Sequence, residues 1–241
     1  MTSHGGAPPV SRRSILAASL AGLDATASTS VMAQSTVPKP QNVVSPTGAL
    51  EILRAGNRRY VEGTTKRHDF AHERAALQSG QNPFAAILSC ADSRIAPEYA
   101  FDSARGDLFV VRVAGNFLSE DGLASLEYAV TVLSTPLILV LGHEAYGAVS
   151  AAIKSITQGD VLPGHLPSIV EALRPAVDES KSTPDILAQT THANVRLTVE
   201  KIARSSQIIA DIVEQGRVAV RGCLYRLGTG QVDFFSRRTR R

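Results

Sequence analysis

From about residue 46 onward, short apolar runs alternate with helical periodicities. Ala49, Leu50, Ile52, Leu53 and Tyr60 recur at helical spacing, with Thr47 or Ser45 available as a cap and Gly63 as a stop. Phe84 to Ser89, Asp107 to Val113 and Leu137 to Leu141 are continuous apolar runs bounded by Pro or Gly, as strands buried on both faces should be. Arg217 to Tyr225 and Val232 to Phe235 alternate more and flank Gly228-Thr229-Gly230, so they predict a terminal hairpin. Helical patterns lie between these runs. One carries Leu123, Leu126, Val130 and Leu133, and a longer one runs from Val195 through Val199, Ile202, Ile209 and Val213 to Gly216.

Strands alternating with helices predict an α/β domain built on a largely parallel sheet. Chemistry in such sheets gathers at the C-terminal ends of the strands. That rule points to Cys90 after the first strand, to Arg112 to Asn116 after the second, and to Gly142-His143 after the third.

Composition narrows the class without changing this picture. The 241 residues are 44% hydrophobic and 20% charged, enough apolar material for one sizeable core and too little bias for a disordered chain. Two cysteines in so long a chain exclude a disulfide scaffold, and the lack of a Cys-x-x-Cys pair argues against a thiol redox protein. The net charge of +3 owes four positive charges to Arg237, Arg238, Arg240 and Arg241, so without that tail the balance falls to −1. The tail reads as a solvated end, and no nucleic-acid partner is expected.

Residues 1–33 have the order of a cleavable export signal: Arg12-Arg13, then Ile15-Leu16 and a stretch rich in Ala, Ser and Leu, then Val31-Met32-Ala33 before Gln34. The paired arginines resemble a twin-arginine signal, which exports folded proteins and places this one in the periplasm or outside the cell. Asp24 lies within the apolar stretch, which is too short and mixed for a stable membrane span. Residues 34–45, ahead of Pro46 and containing Pro38 and Pro40, read as a linker, with the domain over 46–241.

Cys90-Ala91-Asp92-Ser93-Arg94 puts a thiol, a carboxylate and a guanidinium at one strand end. Cys90 can offer a thiolate to a soft or borderline metal, and Arg94 can hold Asp92 ionised through a bidentate pair. A buried Cys followed by a surface turn is the bland alternative. His143 emerges at the same edge, and a thiolate with a neutral imidazole suits Zn²⁺, although a lone strand-end His is often only a satisfied polar group. Nothing links His68, His72, His165 or His192 to that edge.

The stretches SCADSRIAPEYAFD, GDLFVVRVAGN, SLEYAV and LILVLGHEAYGAV, in this order over about residues 46 to 236, resemble the β-class carbonic anhydrases. The resemblance implies a Rossmann-like, mostly parallel sheet flanked by helices, with a C-terminal antiparallel strand and an N-terminal helical arm packed on a neighbouring subunit. It also implies homodimers or higher multiples of dimers. The implied activity is reversible hydration of carbon dioxide to bicarbonate by a zinc-bound hydroxide. In that reading Cys90 and His143 bind zinc, and Asp92 and Arg94 form the catalytic pair.

One departure stands against the agreement. Where the family has His-x-x-Cys, its Cys being a zinc ligand, this chain has His143-Glu144-Ala145-Tyr146. Cys90, Asp92 and His143 are then the expected metal ligands, and Asp92 cannot both ligate full-time and stay paired with Arg94. Tyr146 either binds as a phenolate or fills the space and donates a hydrogen bond. Ala114-Gly115-Asn116 is expected to shape the adjacent pocket. The alternative function is a non-catalytic or metal-deficient protein that keeps the fold and its assembly surfaces.

Overall fold

The computed structural model describes residues 43–78 and 80–236. The expected export signal over residues 1–33, all but the last three residues of the expected linker, and the basic tail lie outside them. Eight helices are described: α1 Pro46–Glu62, α2 Phe70–Ala76, α3 Pro97–Ala100, α4 Glu120–Thr131, α5 Gly147–Gln158, α6 Leu166–Ser180, α7 Ile186–Ser205 and α8 Gln207–Glu214. Five strands accompany them: β1 Ala85–Ser89, β2 Leu108–Arg112, β3 Leu137–His143, β4 Ala219–Tyr225 and β5 Val232–Phe234. They form one sheet in the order β2-β1-β3-β4-β5. The first four are parallel and β5 runs antiparallel to β4, as the hairpin pattern predicts.

Helix α1 starts and stops where local chemistry requires. The Oγ of Ser45 accepts from the Gly48 amide at 3.0 Å, Pro46 opens the helix, and Gly63 closes it in the left-handed region at φ 70°. Its buried face packs on its own chain through Ala49, Leu53 and Asn57. Asn57 Nδ2 donates to the carbonyls of Ala100 at 2.9 Å and Gly230 at 2.8 Å, and its Oδ1 accepts from the Val232 amide at 2.9 Å. Ile52 and Val61 on the same helix are exposed.

Every residue of β1 and β3 is buried, which explains their continuous apolar runs. Alternate residues feed opposite faces. Ile87, Leu139 and Leu141 pack with Leu53 and Phe101, whereas Leu88, Ile138 and Val140 pack with Leu126, Ile202 and Ile209. A third cluster joins Val149 and Ile153 of α5 to Val170, Leu173 and Val177 of α6 over Cys90 and Tyr146. The helical pattern did not single out α5 and α6, yet they roof the strand ends.

Two boundaries differ from the pattern. The single helix expected from Val195 to Gly216 is broken at Ser206, which is extended and caps α8 by accepting from the Ile209 amide at 3.1 Å. Strand β3 continues two residues beyond Leu141, Gly142 and His143 pairing with Leu224 and Tyr225 of β4, and α7 packs closely over Gly142. A Cβ there would lie 2.5 Å from Val195 Cγ2.

Cys90 and Cys223 are both free and buried. Ser89 pairs with Leu141 and Leu141 with Cys223, so β3 intervenes. Two spacings of ~4.8 Å exceed the ~7 Å Cα separation a disulfide tolerates. Among the described residues no helix is long and apolar enough to cross a membrane.

Candidate active site

Strand register sets the site. Ser89 at the end of β1 pairs with Arg112 at the end of β2 and with Leu141, two residues before His143 in β3. Cys90, Arg112 and His143 therefore share one edge of the sheet, as the strand-end rule predicts.

Arg112 organises the loop that follows β1. Its Nε donates to the Cys90 carbonyl at 2.9 Å, and its second guanidinium nitrogen donates to the carbonyls of Asp92 at 2.7 Å and Ile95 at 2.9 Å. Three carbonyls facing one cation hold the loop in a tight arc. Inside that arc Asp92 and Arg94 meet as expected. Arg94 Nε reaches Oδ1 at 2.9 Å, a terminal nitrogen reaches Oδ2 at 2.6 Å, and the Arg94 amide also donates to Oδ1 at 2.9 Å. This fork holds the Asp92 carboxyl well below the usual carboxylate range, chiefly through the Arg94 side chain. Arg94 also reaches the Ala145 carbonyl at 3.3 Å, which couples the pair to the loop after β3.

His143 is fully buried, and burial pushes its pKa down, disfavouring the imidazolium. Nδ1 donates to the Glu144 carbonyl at 2.6 Å, which leaves Nε2 with its lone pair. That Nε2 is buried with no hydrogen-bond partner among the described residues, and the nearest acidic oxygen is Asp92 Oδ2 at 3.9 Å. The Cys90 thiol lies beside the same loop, its Sγ accepting from the Asp92 amide at 3.4 Å.

Tyr146 ends this loop as the residue capping α5, with 1% of its surface exposed. Its ring lies against the His143 imidazole, with centroids 3.6 Å apart. The hydroxyl donates to Asn116 Oδ1, and burial raises the phenol pKa well above its usual value, with Cys90 adding to the shift. A phenol so placed stays protonated. Of the two roles open to it from the sequence, filling space and donating a hydrogen bond is the one these contacts describe.

The donors offer zinc the right chemistry in an incomplete arrangement. A thiol, an imidazole with a free buried nitrogen and a carboxylate suit Zn²⁺. Yet among the described residues no three His, Cys, Asp or Glu side chains are gathered so as to hold a metal ion, and Arg94 holds the Asp92 carboxylate. A third protein ligand requires Asp92 to turn away from Arg94.

Other sequence expectations resolve simply. Cys223 lies in the core, its Sγ facing the Val140 carbonyl at 3.7 Å, away from the strand ends. His68 bonds Glu73 at 3.0 Å, and His192 stacks on Phe235 with centroids 4.6 Å apart. The missed residue is Asn194 on α7, whose Nδ2 donates to the Gly115 carbonyl at 2.8 Å and to Asn116 Oδ1 at 3.2 Å. Its signal was present: Thr190, Asn194 and Thr198 recur every four residues and are all buried, a polar stripe inside an apolar helix face.

A family model described as carbonic anhydrase matches residues 85–232. Carbonic anhydrase 2 of Mycobacterium tuberculosis is 39% identical over 192 residues, covering 78% of this chain and 91% of that protein. A carbonic anhydrase of Mycolicibacterium smegmatis is 38% identical over 194 residues, covering 80% and 94%. Among solved structures, the β-carbonic anhydrase CcaA matches with a TM-score of 0.60 and 26% identity, over 79% of this chain and 93% of that one.

Arg112→Ala should destabilise the protein by about 1–3 kcal/mol by stripping donors from partly buried carbonyls. Denaturant unfolding reads this. Arg112→Lys should recover only part of the loss, because one ammonium cannot span the three acceptors. Wild-type stability in both variants would mean that the loop holds its shape without Arg112.

Proposed function

The chain belongs to the carbonic anhydrase family, in its β class, and on that footing we propose that it catalyses the reversible hydration of carbon dioxide to bicarbonate. The observation that carries this reading is the gathering of Cys90, the Asp92–Arg94 pair and His143 at one strand edge, with His143 Nε2 buried and unbonded. Cys90 and His143, completed by Asp92, would hold a zinc ion. Bound zinc supplies Lewis acidity that lowers the pKa of a coordinated water, a role for which carbonic anhydrases are the standard example.

The protein's own groups then divide the remaining work. His143 stays neutral through burial, with Nδ1 tied to the Glu144 carbonyl so that Nε2 is free to ligate. Asp92, ionised by Arg94, accepts a hydrogen bond and so orients a water beside the strand ends. The same carboxylate cannot ligate zinc and pair fully with Arg94 at once. Metal affinity and the catalytic pair compete for Asp92. Hydration consumes water and carbon dioxide and releases bicarbonate and a proton, and the proton passes to solvent.

A second reading rests on Tyr146, whose buried phenol fills the third ligand's place as the family resemblance assigns it. It is a metal-deficient protein that keeps fold and assembly. The two part on zinc. Under the enzymatic reading, purified protein supplied with zinc hydrates carbon dioxide, and Cys90→Ser or His143→Ala abolishes both binding and hydration. Tyr146→Cys should bind zinc more tightly and hydrate faster, since a second thiolate frees Asp92 for Arg94. Full zinc loading and fast hydration unaffected by Tyr146→Cys would contradict this account of the site.

Exposed Tyr128 and Val132, close to the edge strand β2 through the Phe109–Tyr128 ring contact, support assembly as a homodimer or a multiple of dimers. The export order of Arg12-Arg13, the apolar stretch and Ala33 supports a periplasmic or exported mature protein beginning near Gln34. Replacing Arg12 and Arg13 with Lys should retain the protein in the cytoplasm. Unchanged export of that variant, followed by cell fractionation, would contradict the twin-arginine reading.

A further inference from the structure

One hydrogen bond orients the His143 ring, from Nδ1 to its neighbour's carbonyl at 2.6 Å, while Nε2 bonds nothing among the described residues. One bond leaves the ring free to rock about it, and the Tyr146 ring, packed on the imidazole with centroids 3.6 Å apart, limits that motion. Tyr146 is in turn held by its hydroxyl, which donates to Asn116 Oδ1. Asn116 sits in the left-handed region at φ 39°, which asparagine adopts more readily than most residues, directly after Gly115 at φ 89°. Asn194 braces this turn from α7, donating to the Gly115 carbonyl at 2.8 Å and to Asn116 Oδ1 at 3.2 Å. Asn116 and His143 have no exposed surface, and Asn194 and Tyr146 keep at most 3%. All four side chains are thus shielded from bulk solvent.

We propose that Asn194 and Asn116 are positioning residues that orient the His143 imidazole through Tyr146, so that α7 sets the ligand geometry at the strand ends. The carboxylate edge of the site takes no part in this path. It rests on the reading that His143 is a metal ligand, but its geometry exists without metal. The parts act in series. Asn194 fixes the Gly115-Asn116 turn, the turn presents Oδ1 to the phenol, and the phenol fixes the ring against which His143 lies. Removing any member loosens the imidazole without removing a donor from the metal.

The test uses metal-free, full-chain protein and reads the His143 ring directly by proton–nitrogen NMR. Asn194→Ala should shift and broaden the His143 ring signals although Asn194 makes no hydrogen bond to His143, and Tyr146→Phe, which keeps the ring and loses the hydroxyl, should do so as well. Asn57→Ala is the control, since it removes an equally buried asparagine whose two carbonyl partners lie elsewhere, at Ala100 and Gly230. Asn57→Ala should lower the melting temperature as much as Asn194→Ala, by ~4–8 °C, and leave the His143 signals in place. Zinc titration should then show ~10-fold or more weaker binding for Asn194→Ala and no loss for Asn57→Ala.

Unmoved His143 signals in Asn194→Ala and Tyr146→Phe would overturn the proposal, as would equal movement in Asn57→Ala. If Asn194→Ala does not fold, Tyr146→Phe and Asn116→Ala carry the comparison. Should the protein bind no zinc at all while the His143 signals respond as expected, the proposed function fails and the positioning path stands. Intact zinc binding and hydration with unresponsive signals leave the function standing and remove the path.

Discussion

The site depends on the register of three parallel strands. Because Ser89 lies opposite both Arg112 and Leu141, the chain leaves β1, β2 and β3 at nearly one level. The polar residues that follow must then share a small volume above a sheet whose buried strands are mostly apolar. Such an interior offers their carbonyls and donors few other partners, so Arg112 spans three carbonyls, Arg94 grips Asp92, and His143 turns Nδ1 to its neighbour's carbonyl. The same close packing requires Gly142, since any larger residue would push α7 from β3 and carry Asn194 away from Gly115.

Two kinds of constraint meet above that edge and differ in rigidity. On the outer side the Asp92–Arg94 pair is partly solvated, with half the Arg94 side chain exposed, so its charge is screened and its geometry can be exchanged for another partner. On the inner side the Tyr146, Asn116 and Asn194 bonds are buried, and losing the Tyr146–Asn116 bond would deprive a buried hydroxyl of its acceptor. A metal arriving between them would meet a yielding carboxylate and an unyielding phenol. Competition therefore falls on Asp92, and Tyr146 stays where it is.

Much of the fold was legible because its signals are local. Continuous apolar runs marked β1, β2 and β3, the Gly-rich break marked the β4–β5 hairpin, and Ser45 and Gly63 bounded α1. The break at Ser206 was harder, since an apolar periodicity passes through it undisturbed and only the capping hydroxyl interrupts the helix. Cys90, Asp92, Arg94 and His143 were legible from type and strand-end placement. Asn194 showed only its place in a polar stripe and not its role, because its partners Gly115 and Asn116 lie 79 and 78 residues away and a buried amide's role is set by what packs against it. Arg112 stood among the strand-end residues, but its three carbonyl contacts come from the path of the β1–α3 loop, which no periodicity encodes.

The claim on which the account turns is that Tyr146 stands at the metal site without ligating and leaves Cys90 as the only thiolate. X-ray absorption at the zinc edge on zinc-loaded wild-type protein tests it most directly. The expected result is one sulfur per zinc at ~2.3 Å, with nitrogen and oxygen neighbours at ~2.0–2.2 Å. Two sulfurs per zinc, or no bound zinc at saturating metal, would contradict it.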